Sequence, residues 1–226
     1  MMVYLYDDTI RFYIILLACI ALVYIPFIGK YVRLISTMIH EGGHVLMGLL
    51  LGERIVKVNL FSDASGEANV TVSNKFKKLL IAIVGYPSTA LMAFFSFWLI
   101  SKDYHYYYVI GITALVFIFL LLYIRNLFGV FWALSFVIAN ALLLYYQQLT
   151  FIHILAQVYA CIIFVESIFS CFILLYISFV SPKTQTDATN ISDVIYLPKQ
   201  LVAVLITAFN LYFAYLSVMY FFPNIN

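Results

Sequence analysis

From Phe151 to Val180 the chain runs for thirty residues with a single acid, Glu166, and no lysine or arginine. A segment this long and apolar fits across a bilayer with some tilt. In hydrocarbon only a helix or a closed barrel satisfies its own backbone, so the stretch predicts a membrane-spanning helix. Similar stretches run over Phe12–Ile28, Tyr31–Leu51, Leu79–Ile100, Tyr106–Ile124, Val130–Leu144 and Leu201–Phe222. Together they predict an all-α polytopic membrane protein of about seven transmembrane helices, forming one membrane-embedded domain over residues 1–226. The composition agrees. The chain is 65% hydrophobic and 10% charged, where a soluble domain is about half apolar and a quarter charged. Its few charges lie in short polar gaps, and the net charge of +2 gives no reason to expect a nucleic-acid partner. Cys19, Cys161 and Cys171 sit in apolar stretches and read as buried thiols, with no disulfide framework. The first apolar segment lacks a small-residue cleavage site and reads as a retained span.

One polar interval has a different pattern. Ile55 to Leu60 alternates like a strand, Ser62-Asp63-Ala64-Ser65-Gly66 carries turn residues, and Ala68 to Val72 alternates again. This predicts a small β-hairpin or sheet at the membrane face, after the second helix. Gly52 is placed to cap that helix. Gly85-Tyr86-Pro87-Ser88 interrupts the third span, where proline frees a carbonyl and glycine allows close helix approach. With seven alternating spans, nine basic residues fall on one side: Arg11, Arg54, Lys57, Lys75, Lys77, Lys78, Arg125, Lys183 and Lys199. Lys30, Arg33 and Lys102 fall on the other. Positive charge gathers on the cytoplasmic face, so a cytoplasmic N-terminus and hairpin are expected, in the cell membrane.

The second span carries His40-Glu41-Gly42-Gly43-His44, an H-E-x-x-H motif. Helix residues four apart share a face, so His40 and His44 can offer imidazole nitrogens to one Zn²⁺. Glu41, one residue on, is rotated toward water at the metal rather than the metal itself, the general-base position of a zinc hydrolase. With four histidines and four glutamates in the chain, chance placement yields this pattern in roughly one chain in a thousand. Two histidines and a glutamate inside a membrane-length helix are costly unless something binds or pairs them.

A catalytic zinc needs a third protein ligand. His105 and His153 fall at the opposite membrane face. The acidic possibilities are Glu166, a lone carboxylate in the sixth span that asks for a partner, and Asp187, in the loop after it. On the residues alone both remain open, with Glu166 slightly favoured.

The motif helix followed by the Arg54–Val72 hairpin resembles the site-2 protease class of intramembrane zinc metallopeptidases, and most closely its peptidase M50B-like branch. Gly85-Tyr86-Pro87-Ser88 resembles that branch's A-G-Y-L-G segment, departing at Pro87 and Ser88. Arg125-Asn126-Leu127-Phe128-Gly129 resembles its R-N-x-F-G segment, and Thr186-Asp187-Ala188 its S-D-A segment. The larger relatives carry a ligand aspartate in an L-D-G segment, which this chain lacks. The resemblance implies an intramembrane zinc endopeptidase, with Asp187 as third ligand and Glu166 second in line. Its substrate would be a membrane protein or membrane peptide, cut within or beside a transmembrane segment by zinc-activated water. A helical substrate hides its carbonyls and must be unwound, and an edge strand from Val56–Leu60 or Asn69–Val72 offers a place to hold it. Asn126 would orient substrate or, alternatively, cap a helix. The competing expectation is an inactive membrane scaffold around a structural zinc, which would not need Glu41. A metal transporter would carry ionisable residues on several spans, and these spans hold almost none beyond the motif and Glu166.

Overall fold

The computed structural model describes residues 2–181 and 183–223, with side chains described from Asp8 onward. Among them the chain forms eight helices and two strands. These are α1 (Met2–Leu22), α2 (Ile28–Leu50), β1 (Arg54–Leu60), β2 (Gly66–Thr71), α3 (Lys75–Ser101), α4 (His105–Leu122), α5 (Leu127–Tyr145), α6 (Leu149–Val180), α7 (Asp187–Ile195) and α8 (Lys199–Phe221). Five of them, α3, α4, α5, α6 and α8, are long and apolar enough to cross a membrane. The expected count of seven spans is not reproduced by this criterion. The two long helices that fall short are broken up by charged and polar side chains: Asp7, Asp8 and Arg11 in α1, and Lys30, Arg33, His40, Glu41 and His44 in α2.

Helix α6 is the hub, packing against α1, α2, α3, α4 and α8. Half of its most apolar window is buried, more than in any other span. Small and polar residues let α8 approach it closely. The Thr207 hydroxyl donates to the Cys171 carbonyl at 3.3 Å, and the Asn210 amide to the Ser167 carbonyl at 3.0 Å. These pairs also show that α8 runs antiparallel to α6.

The first two helices break the expected alternation. Cys19 on α1 donates to the Val158 carbonyl in the first half of α6 (3.8 Å), and Tyr24 packs on Phe169 further along. Arg33 on α2 then pairs with Glu166 at 2.9 Å, and His44 reaches the cytoplasm-expected end of the bundle beside Ile81. Helices α1 and α2 therefore follow α6 in the same direction, one after the other, with a compact turn at 23–27 between them. The Tyr13 hydroxyl donates to the Pro223 carbonyl at 2.7 Å, joining α1 to the chain just beyond α8. Both lie at the end where His105 stacks on His153 with ring centroids 4.4 Å apart. The start of α1 and the hairpin are thus at opposite ends of the molecule. An N-terminus and a hairpin on the same cytoplasmic side, as alternation required, do not fit this arrangement. Moving Arg11 leaves eight basic residues with the hairpin.

The hairpin forms where the alternation placed it, antiparallel, with a register shift between Ile55 and Lys57. Its turn is closed by the Asp63 carboxylate, which accepts from the Ser65 backbone at 3.0 Å and the Ser65 hydroxyl at 2.6 Å. The Thr37 hydroxyl donates to the Ala64 carbonyl at 2.7 Å and fixes this turn onto α2. The outer edge of β1 is taken. Val58 exchanges backbone hydrogen bonds with Tyr123 and Arg125, and Leu60 is gripped by both amide atoms of Asn126 at 3.0 and 2.5 Å. The open edge of the sheet is therefore β2.

The polar loop expected after α6 contains a helix of its own, α7. Thr186 is its N-cap, and its side chain accepts from the Thr189 N–H. Ala188 and Ile191 are buried against Ala82, Leu174, Val202 and Ala203, which seats α7 on α3, α6 and α8.

Candidate metal centre

His40 and His44 stand one turn apart on the buried face of α2, as their spacing requires. Asp187 opens α7, where a carboxylate also meets the positive end of the helix. The loop leading to it is held by Lys199, whose ammonium donates to the Ser181 and Thr184 carbonyls, both at 3.3 Å. The result is a tight triangle of donor atoms. His40 Nε2 lies 3.1 Å and His44 Nε2 3.4 Å from Asp187 Oδ2, and the two nitrogens are 3.2 Å apart. A tetrahedral zinc with ligands at about 2.0–2.1 Å has ligand–ligand edges of about 3.3–3.4 Å. The triangle fits that metal. The ring orientation fits too. His44 Nδ1 faces the Ile81 carbonyl at 2.7 Å, so Nδ1 carries the proton and Nε2 keeps its lone pair. Among the described residues this is the single group of three such ligands. Burial alone would raise the Asp187 carboxyl. The facing His40 and His44 rings outweigh it and hold the group well below the usual carboxylate range.

The backbone of α3 comes up against the same nitrogens. A Cβ on Gly85 would sit 2.6 Å from His40 Cε1 and His44 Nε2. Next to it, the Tyr86 ring meets His40 edge-on, centroids 4.7 Å apart and planes at 87°.

Glu41 is buried beside the triangle. The start of β2 lies directly over it, since a Cβ on Gly66 would be 3.0 Å from Glu41 Oε1. Ala68 pairs across from Val58, whose backbone groups face away from β2, so those of Ala68 face away from β1. The Ala68 backbone accordingly faces the Glu41 carboxylate. His40, Glu41, His44, Gly66, Ala68, Tyr86 and Asp187 line one cleft of about 690 Å³, with Val70, Val72, Lys78 and Asn190 along its walls.

The structure thus brings together His40, Glu41, His44 and Asp187. It does not bring in Glu166, which is 5% exposed and paired with Arg33, on which Phe169 also packs. Asn126 sits at the first position before α5 without capping it, and its amide is engaged by Leu60 outside the cleft. Two contributors were not assigned from the sequence: Tyr86, and the exposed edge of β2 at Gly66 and Ala68. Their signals were a glycine-tyrosine-proline run inside a span and a glycine at the strand start.

An apolar helical body with two histidines, an aspartate and a neighbouring glutamate around one cleft has the form of a membrane-embedded metallopeptidase. A profile of the Peptidase M50B-like family matches residues 13–217, and the chain belongs to that family. No curated protein and no solved structure matches it.

Proposed function

We propose that the protein is an intramembrane zinc metalloendopeptidase that cuts membrane proteins or membrane peptides within or beside a transmembrane segment. The observation that carries this reading is the 3.1–3.4 Å donor triangle with Glu41 buried next to it. His40, His44 and Asp187 would hold Zn²⁺. When bound, zinc supplies a Lewis acid that polarises a carbonyl and makes water nucleophilic near neutral pH. The protein does the rest. The substrate, unwound locally, lies along the open edge of β2 by strand addition. This puts its backbone next to Glu41. The Glu41 carboxylate takes a proton from the attacking water as the O–C bond forms. It then gives that proton to the leaving amine as the C–N bond breaks.

In this reading the cleft opens toward the cytoplasm and the start of α1 lies on the opposite side. Helices α1 and α2 share one traverse of the cell membrane, and α3, α4, α5, α6 and α8 make the other five. The second reading, an inactive scaffold with a structural zinc, needs the triangle but not Glu41. The two part on Glu41→Gln. This variant should keep zinc at the wild-type level while cleavage falls by ~10²–10⁴-fold, the usual loss for a general base. The assay compares membrane proteomes of cells expressing either form, looking for fragments that end in or beside a transmembrane segment. If both forms bind zinc and no fragment depends on the wild type, the scaffold reading stands.

A further inference from the structure

The cleft holds an unused hydrogen-bond donor. Negative charge grows on a peptide carbonyl oxygen under attack, and donors aimed at that position are a large part of catalysis. The polar side chains lining the cleft, apart from the metal-binding set and the acids, are Ser65, Lys78, Tyr86, Gln185, Thr186 and Asn190. Of these, Tyr86 is in contact with a metal-binding residue, the ring of His40. Its phenol lies within electrostatic reach of Asp187, Cys171 and Glu41. No hydrogen-bond partner for that phenol is found among the described residues, although the backbone beside it is fully engaged. The Tyr86 carbonyl accepts from the Thr89 hydroxyl at 2.7 Å, and the Gly85 carbonyl from the Ser88 hydroxyl, also at 2.7 Å. These bonds take up the carbonyls just before Pro87 in the turn of α3 that carries Tyr86. A half-buried phenol that lines the cleft without a partner in the chain has an O–H to donate.

We infer that Tyr86 is the hydrogen-bond donor to the substrate carbonyl oxygen under attack at this centre. The inference rests on the peptidase reading above and adds the residue that stabilises the developing oxyanion. Water oxygen adds to the carbonyl carbon, and Glu41 carries the proton from water to the leaving nitrogen. Tyr86 keeps its own proton throughout and only donates it in a hydrogen bond.

The test uses zinc-loaded full-length protein and two probes. A hydroxamate binds the metal centre without copying a tetrahedral carbon, whereas a phosphinic pseudopeptide copies it. Tyr86→Phe retains the ring against His40, so zinc content and hydroxamate affinity should match wild type. Phosphinic-peptide affinity should fall ~10²–10³-fold, the range for losing one oxyanion donor. In a cleavage assay the loss should appear in kcat with KM little changed. Wild-type phosphinic-peptide affinity in Tyr86→Phe overturns the assignment and leaves the peptidase reading intact. If zinc-loaded wild type binds neither probe, the peptidase reading falls and this inference goes with it. Parallel loss of both probes together with zinc shows that Tyr86 only props His40, which also refutes the donor role.

Discussion

Gly85→Ala adds one methyl group at the most crowded point of the centre. The new Cβ would lie 2.6 Å from His40 Cε1 and His44 Nε2, and 2.7 Å from His40 Nε2. Carbon contacts relax near 3.5–4.0 Å, so α3 must retreat or the rings must turn aside by about 1 Å. A metal site tolerates ligand displacements of about 0.2 Å. Disturbing only the groups behind a ligand loses about 10–100-fold in affinity. Moving two ligands together should lose at least ~100-fold, or about 3 kcal/mol at 1.4 kcal/mol per tenfold. Helix content should not suffer, because alanine is the better helix former. The measurement is zinc competition against a chromophoric chelator in detergent, with circular dichroism alongside. Gly111→Ala is the control. It is also a helical glycine, but its added Cβ meets nothing within 4 Å. Wild-type zinc affinity in Gly85→Ala would show that the triangle is not where the ion binds.

Three further outcomes are expected. Asp187→Ala should lose zinc while Glu166→Gln keeps it, measured as metal per chain after chelator-free purification; the reverse result transfers the third ligand to Glu166. Glu166→Gln should instead destabilise the fold by about 3–5 kcal/mol, because it leaves Arg33 as a largely buried uncompensated charge, and Arg33→Met with Glu166→Met should recover most of that loss in thermal unfolding. Asp8→Cys and Ser65→Cys, labelled with an impermeant thiol reagent in intact cells, should differ, with only the first reacting; equal labelling of both contradicts the shared traverse of α1 and α2.

What could be read from the sequence followed from local rules. The i, i+4 spacing of His40 and His44, the alternation around Lys57 and Asn69, and the turn residues Asp63 to Gly66 each reach the structure as the rules require. The choice between Asp187 and Glu166 could not be made that way. It depends on Arg33 crossing from α2 to α6, a pairing that no periodicity reports. Helix α7 was hidden for a different reason: nine residues are too few to show a hydrophobic stripe inside a polar loop, although Thr186 and the buried Ala188 and Ile191 mark it in hindsight. The direction of α1 was not legible, because counting charges assumes that each apolar segment crosses fully. Tyr86 was not legible either, because nothing local says that a glycine-tyrosine-proline run inside a span faces His40.

The origin of Asp187 has a consequence for biosynthesis. Between His44 and Asp187 the ribosome must make α3, α4, α5 and α6, so the aspartate emerges after most of the bundle has entered the membrane. Until then the two histidines lack their third partner, and the nascent chain cannot hold the ion tightly. On the proposed function, hydrolytic competence would be postponed until residue 187 has emerged, and a chain truncated before it would be inert toward its neighbours in the membrane. The polypeptide acts as its own timer.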